Sequence, residues 1–265
     1  MCLISFAWNT HPDYVLALAA NRDEFHGRPT TAAGPWADAP GVIGGRDLRE
    51  GGSWLALSSA SRLAAVTNVR EPHLAAAPHS RGALIKDFVT GKASAAEEAV
   101  RVYAAGDAYG PHNLLLWDGA RLVFVSNRNL AQPRPVQSGI HGISNGPYDA
   151  PWPKTQRLNA RLGDWLSARS NAANEDLEPL LEALSDEHGA GDAELPQTGV
   201  GLEMERLLAP AFIRSERYGT RASTVLLIRR DGRATLFERS FGPDKQPLGD
   251  VRLELNLSAA GTDPQ

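Results

Sequence analysis

Two segments near the start of the chain, CLISFAWN and YVLALAA, are apolar at nearly every position. Unbroken apolar runs of this length predict strands buried on both faces. THPD between them is a Pro/Asp turn, and the second run leads straight into NRDE. A loop rich in Gly and Pro is expected from Phe25 to about Gly52. SWLALSS and LAAVTNV then predict another strand pair. In RGALIKDFV the apolar Leu84, Ile85, Phe88 and Val89 recur at helical spacing, which predicts a helix. SAAEEAVRVYAA predicts a second, opened by Ser94 with Glu97 three residues on, the reciprocal capping pattern.

NLLLWDGARLVFVSN predicts a hairpin turning at Asp118-Gly119, and GIHGISN a short strand ending at Asn145. Helical periodicity returns in KTQRLNARLGDWLSA and LEPLLEALSDEH. STVLLIRRDGRATLFERSF predicts a last hairpin, turning at Asp231-Gly232. Adjacent hairpins imply antiparallel pairing, and strands buried on both faces need cover that the helix pairs can supply. The pattern therefore predicts a layered α+β protein: two sheets packed together with helices outside. There is no internal repeat and no linker, so residues 1–257 are expected to form a single domain. The small, polar tail, residues 258–265, is expected to fray.

Composition narrows the functional classes. Of 265 residues 42% are hydrophobic and 22% charged, which is ordinary for a globular protein with a sizeable core. A formal charge of -4 offers no basic field for nucleic acid. No run approaches the roughly 18 apolar residues of a membrane span, and no signal peptide is visible at the start. The expected compartment is the cytoplasm. With one cysteine, neither an internal disulfide nor a cysteine-based zinc cluster is available. His73 and His79 lie in a Pro/Ala loop at a spacing that is not a zinc signature, so no metal site is expected.

That single cysteine is Cys2. Removal of Met1 would leave a thiol and an α-amine on one residue, with ordinary pKa values of about 8.5 and about 7.7–8.0. The amine could then take the thiol proton, which is base-activated nucleophilic catalysis within one residue. The alternative is a small buried residue on an apolar strand. Asn21, Arg22, Asp23 and Glu24 place four polar groups at once after an apolar run, and such groups need internal pairing if buried. Arg22 could lower a thiol pKa and Asp23 could bond an α-amine. GISNG fits G-x-S-x-G, but Pro147, Pro151 and Pro153 follow, so the helix a nucleophile elbow requires cannot begin there. Asn145 in that stretch suits an oxyanion hole better, as a side-chain amide at a strand end. Arg221 opens a strongly apolar strand and would bring a second cation to a strand-end site.

NRDEF followed by RP, then GGSWLAL, VTNVR, HNLLLWDG, ISNGPYDAPWPK and YGTRASTVLLI, in this order, resemble the NRDE family, also called the transport and Golgi organisation family. The resemblance runs from Cys2 to about Phe241. That family in turn resembles the N-terminal nucleophile hydrolases of the cholylglycine hydrolase and penicillin acylase group. The resemblance implies a four-layer αββα sandwich. It also implies a site in which Cys2 is the nucleophile, Arg22 the first arginine, Asn145 the oxyanion asparagine and Arg221 the later arginine. The hydrolases separate their arginine and aspartate by two residues, whereas Asp23 follows Arg22 directly, so either Asp23 or Glu24 stands for the acid, or neither does. Asn21, Glu24, His26, Trp54 and Asn68, within or beside these motifs, are the expected ligand contacts.

The functions implied are binding and transfer of haem, or of an acyl-CoA or related lipid ligand, by a protein needing no cofactor of its own. In that reading Cys2, His26 or another loop histidine would contact haem iron. The alternative is a Cys2 amidohydrolase that cleaves a linear amide through an acyl-enzyme, with Asn145 and a backbone N–H near Trp54 holding the oxyanion. A third is an interaction module with a decayed site. The partner in the first two is a small molecule, with no nucleic acid and no integral membrane association.

Overall fold

The computed structural model describes residues 2–72, 77–128, 132–168 and 175–258. Met1, His73 and the tail beyond Ser258 lie outside these residues, and with them the expectations placed there. The chain opens with β1 (Cys2–Trp8) and β2 (Tyr14–Phe25), then β3 (Thr30–Pro35), β4 (Val42–Asp47), β5 (Leu55–Ser58) and β6 (Arg62–Asn68). Two helices follow, α1 (Arg81–Thr90) and α2 (Ala95–Ala105), then β7 (His112–Trp117), β8 (Leu122–Ser126), β9 (Arg134–Pro135) and β10 (Gly139–Ile143). The last part holds α3 (Pro153–Ser167), α4 (Glu178–Leu184), α5 (Leu202–Leu207), β11 (Tyr218–Arg229), β12 (Arg233–Phe241) and β13 (Pro247–Asn256).

The strands form two antiparallel sheets. One has the order β10-β1-β2-β11-β12-β13 and the other β3-β4-β5-β6-β7-β8-β9. Period-two alternation sends every second side chain of each strand to the opposite face. Ile4, Phe6, Leu16 and Leu18 of the first sheet meet Leu57, Leu63, Leu115 and Phe124 of the second in a core between the sheets. Leu3, Ala17, Ala19 and Val225 point outward against Leu158 and Leu162 of α3 and Leu180 and Leu181 of α4. Ala64, Leu114 and Leu116 of the second sheet pack outward on Leu84, Ile85 and Phe88 of α1 and Val102 of α2. The layer order is αββα, as the sequence implied. The reciprocal cap of α2 is present: Ser94 Oγ accepts from Glu97 N–H at 3.2 Å, and Glu97 Oε2 accepts from Ser94 N–H at 2.9 Å.

Four expectations change. The stretch from Phe25 to Gly52 is not all loop but carries β3 and β4. Its glycines concealed them: Gly44, at φ +155, and Gly45 leave no room for a Cβ against Leu55 and Trp54 of the neighbouring strand region. NRDE does not follow the second strand but belongs to it, because β2 runs unbroken to Phe25. The strand expected to end at Asn145 ends at Ile143. The β11–β12 hairpin is not the last strand pair either, since β13 adds an edge strand across a turn at Gly242 and Pro243. Its Leu253 and Leu255 touch the inter-sheet core while its alternate residues are exposed.

Candidate functional site

β1 and β2 pair so that Cys2 stands directly opposite Arg22. Even-numbered residues of β1, and of β2 from Leu16 on, face the other sheet, which puts Cys2, Arg22 and Glu24 on that side. Odd-numbered residues face α3 and α4, which puts Asn21 and Asp23 on the other. The four polar residues of NRDE are thus divided between two environments by strand geometry alone.

The even side opens on a cavity of about 650 Å³. Cys2, Arg22, Glu24, Trp54 and Asn68 line it, together with Arg81 at the start of α1. Arg22 is 7% exposed, and its guanidinium lies 4.2 Å from the centre of the Trp54 ring. Its nearest carboxylate oxygen is Glu24 Oε2, at 3.9 Å. Arg28 on the same wall is held by Asp47, whose Oδ2 accepts at 2.5 Å from Nη2. Arg28, Asp47, Arg70 and Arg81, which no spacing rule in the sequence marks, also reach this wall, as does the loop histidine His79.

Burial pushes the Cys2 thiol above its usual pKa, and the Asp23 carboxylate adds to the rise. Arg22 and the backbone N–H of Asp23, which donates to the sulfur, act the other way. Asp23 also touches the cavity, but its side chain is 1% exposed and its Oδ1 accepts from Thr220 Oγ1 at 2.7 Å. Burial raises its pKa as well, opposed by Lys154 among others. Lys154 is 3% exposed, donates to Leu208 O at 2.8 Å, and is pushed down by burial to about 8. Alongside lies the buried ion pair of Arg70 and Glu205. Thr198 donates to the same Glu205 carboxylate from its N–H at 2.9 Å and its Oγ1 at 2.6 Å. Lys154 and Arg70 stand within PWPK and VTNVR, but no spacing rule marks them. Only the packing of α3 and of the end of β6 against β1 brings them to Asp23.

Asn145, Arg221, His26 and Asn21 do not line the cavity. Asn145 is 1% exposed and its Nδ2 donates to Asn68 O at 2.8 Å, so its amide braces the residue on the wall. Arg70 N–H donates to Asn145 O at 2.8 Å, and Thr67 Oγ1 donates to Ser144 O at 2.7 Å. These bonds tie the end of β10 to the end of β6. Arg221 sits at a bulge in β11 and donates to Phe25 O and Arg28 O at 3.2 and 2.6 Å. His26 packs beside Gly219, its pKa lowered by burial and by Arg221. Asn21 is 1% exposed: Nδ2 donates to Leu184 O and Ala211 O, each at 2.8 Å, and Oδ1 accepts from Ser223 Oγ at 2.7 Å. A wider cleft of about 1310 Å³ lies over α3 and α4, edged by the Arg157–Asp186 ion pair, and holds no thiol.

Among the described residues no helix is long and apolar enough to cross a membrane. Comparison with solved structures identifies the fold as that of the N-terminal nucleophile hydrolases. An N-acylethanolamine-hydrolyzing acid amidase ortholog of Caenorhabditis elegans superposes with a TM-score of 0.51 at 12% identity, covering 85% of this chain and 92% of that one. A mutant conjugated bile acid hydrolase from Clostridium perfringens gives 0.52 at 8% identity, covering 98% and 95%. In sequence, the Transport and Golgi organization protein 2 homologs of Bos taurus and Homo sapiens are each 32% identical over 260 residues, 91% of this chain and 93% of theirs. The Drosophila melanogaster protein 2 is 27% identical over 265 residues, covering 91% of this chain and 92% of its own length. The family model described as Transport and Golgi organisation 2 matches residues 1–243, and the chain belongs to that family.

Proposed function

We propose that this protein binds a small molecule in the Cys2 cavity and passes it on, with haem or an acyl-type ligand such as an acyl-CoA as the cargo. One observation carries this reading. The cavity is there, but two groups that cleavage would use are not on its lining: Asn145 donates to Asn68 O, and Arg221 donates to Phe25 O and Arg28 O. The wall suits such cargo. Cys2 and His79 offer a sulfur and an imidazole, Trp54, Val66 and Pro111 an apolar surface, and Arg22 a cation. Titration of the purified protein with hemin, followed by its Soret band, and with an acyl-CoA, followed by calorimetry, tests the reading. Saturable binding of either, weakened when Cys2 is alkylated by iodoacetamide, is expected. If neither saturates, the carrier reading fails.

The second reading is amide cleavage by Cys2 after loss of Met1. It is favoured by the backbone N–H of Asp23 at the sulfur and the Arg22 guanidinium beside it. The two structural neighbours named for hydrolysing an N-acylethanolamine and a conjugated bile acid share the fold that would support it. In this reading an intact mass lacking Met1 accompanies any amidase activity, and Cys2→Ala abolishes that activity. A Cys2→Ala protein of undiminished amidase activity sinks it.

A further inference from the structure

Four guanidiniums reach the wall of the Cys2 cavity, and they are not equally engaged. Arg28 is clasped by Asp47 and Arg70 by Glu205. Arg22 makes no hydrogen bond within the described residues and is held by stacking on Trp54, with Glu24 at 3.9 Å. Glu24 in turn spends Oε1 on Phe25 N–H at 2.8 Å. Arg81 has one hydrogen bond, from Nη1 to Pro111 O at 3.2 Å, and no carboxylate pairs with it among the described residues. A guanidinium carries five N–H donors, so Arg22 and Arg81 leave most of theirs facing the cavity. Keeping Arg81 in a recess with no carboxylate partner among the described residues, and Arg22 with one only at 3.9 Å, is costly unless something in the recess answers them.

Position adds to this. Arg81 is the first residue of α1, a ten-residue helix capped by Ser80, with no acidic residue in its first turn. The positive end of the helix dipole therefore falls at the same point of the wall. Cys2 and Arg81 line the same cavity of about 650 Å³, so one small molecule can meet both. Of the wall's acids, Glu71 is paired with Arg128 and Asp47 with Arg28, while buried Asp23 accepts from Thr220 Oγ1 and feels Lys154. Glu50 is exposed and Glu24 partly buried.

We infer that Arg81, together with Arg22, forms an oxyanion-binding fork that takes the carboxylate or phosphate of the ligand and sets the ligand's body along Trp54 toward Cys2. The inference deepens the ligand-site reading above and rests on it only in placing the ligand in this cavity. Carboxylate and phosphate share the planar, two-pronged contact that arginine prefers.

The lone cysteine makes the test direct, because alkylation of Cys2 by neutral iodoacetamide is read from the intact mass. Hexanoate, hexyl phosphate and hexanamide are compared as protectants. Saturable protection by hexanoate or hexyl phosphate is expected, with hexanamide at least tenfold weaker. The anion with the lower half-protecting concentration names the group. In Arg81→Gln that concentration rises at least tenfold. Arg81→Lys, which keeps the charge and loses the fork, raises it about threefold and serves alone if the Gln variant does not fold. Equal protection by hexanamide, or unchanged half-protection in the folded variant, overturns the inference. Failure of the hemin and acyl-CoA titrations with protection intact removes the carrier reading and leaves the fork standing.

Discussion

Arg22 lies over the indole of Trp54, 4.2 Å from its centre, directly across the strand pair from Cys2. The cation beside the thiol is therefore positioned by an aromatic surface and not by a carboxylate clamp. Such a contact is worth about 2 kcal/mol when desolvated. Trp54 is itself seated against Gly45, where an added Cβ would come within 2.1 Å of the ring. Gly45→Ala is expected to push Trp54 off its seat, releasing Arg22 and changing the rate of Cys2 alkylation at least threefold. Trp54→Phe, which keeps a ring, should change it less than Trp54→Leu. An alkylation rate unchanged in all three variants would separate Arg22 from the thiol.

The buried pair of Arg70 and Glu205 has side chains only 5% exposed. Glu205→Gln leaves a buried guanidinium uncompensated, and the expected loss of stability is about 3–5 kcal/mol. The double variant Arg70→Met, Glu205→Leu should cost clearly less than the sum of the two single changes. Urea midpoints for wild type, Arg70→Met, Glu205→Leu and the double variant measure it, and simple additivity would contradict a coupled pair.

Asn21 belongs to the scaffold behind the site. Its side chain joins α4 through Leu184 O, the segment after α5 through Ala211 O, and β11 through Ser223. Asn21→Ala orphans two buried carbonyls and a hydroxyl and should cost about 2–4 kcal/mol. Cys2 alkylation in the folded variant should be nearly unchanged. A marked change in reactivity without a change in stability would return Asn21 to the ligand site.

His112 is fully buried, with Nδ1 paired to Gly110 O at 2.9 Å, and burial lowers its pKa to about 4. The unfolded chain takes up this proton near pH 6.5, ahead of the folded one, so His112 lowers stability as the pH falls from about 6.5 to about 4. The full loss approaches about 3 kcal/mol. His141, raised by its bond to Asp149, acts in the opposite sense: its contribution is present below pH 6.5 and lost as the pH rises through its folded pKa. Chemical denaturation of wild type and His112→Phe between pH 4 and 7 isolates the first effect. Parallel pH profiles would refute it.

The layers were legible from the chain because burial on two faces leaves continuous apolar runs, and β1, β2 and β11 show them plainly. The helix pairs were legible from their 3.6-residue stripe, and α2 from its cap. The strand β4 was not, because its Gly44 and Gly45 make room for a neighbouring backbone and the Trp54 ring and so erase the strand pattern, and β3 was not, because its TTAAGP is short and mostly solvated. β13 hid because an edge strand, solvated at alternate positions, reads as polar chain.

For the site, sequence alone determined that one thiol exists, that it begins the first strand, and that a cluster of opposite charges ends the second. Strand pairing then decided what those groups face. Alternation turns Arg22 and Glu24 to the cavity and Asn21 to the helices, and Asn68 takes the wall while Asn145 supports it from behind. Arg81, Arg70 and Lys154 join only because α1, β6 and α3 converge on the ends of β1 and β2. Residues brought together across 60 to 150 positions leave no local spacing in a single sequence. Their relation exists only once the two sheets have closed on each other.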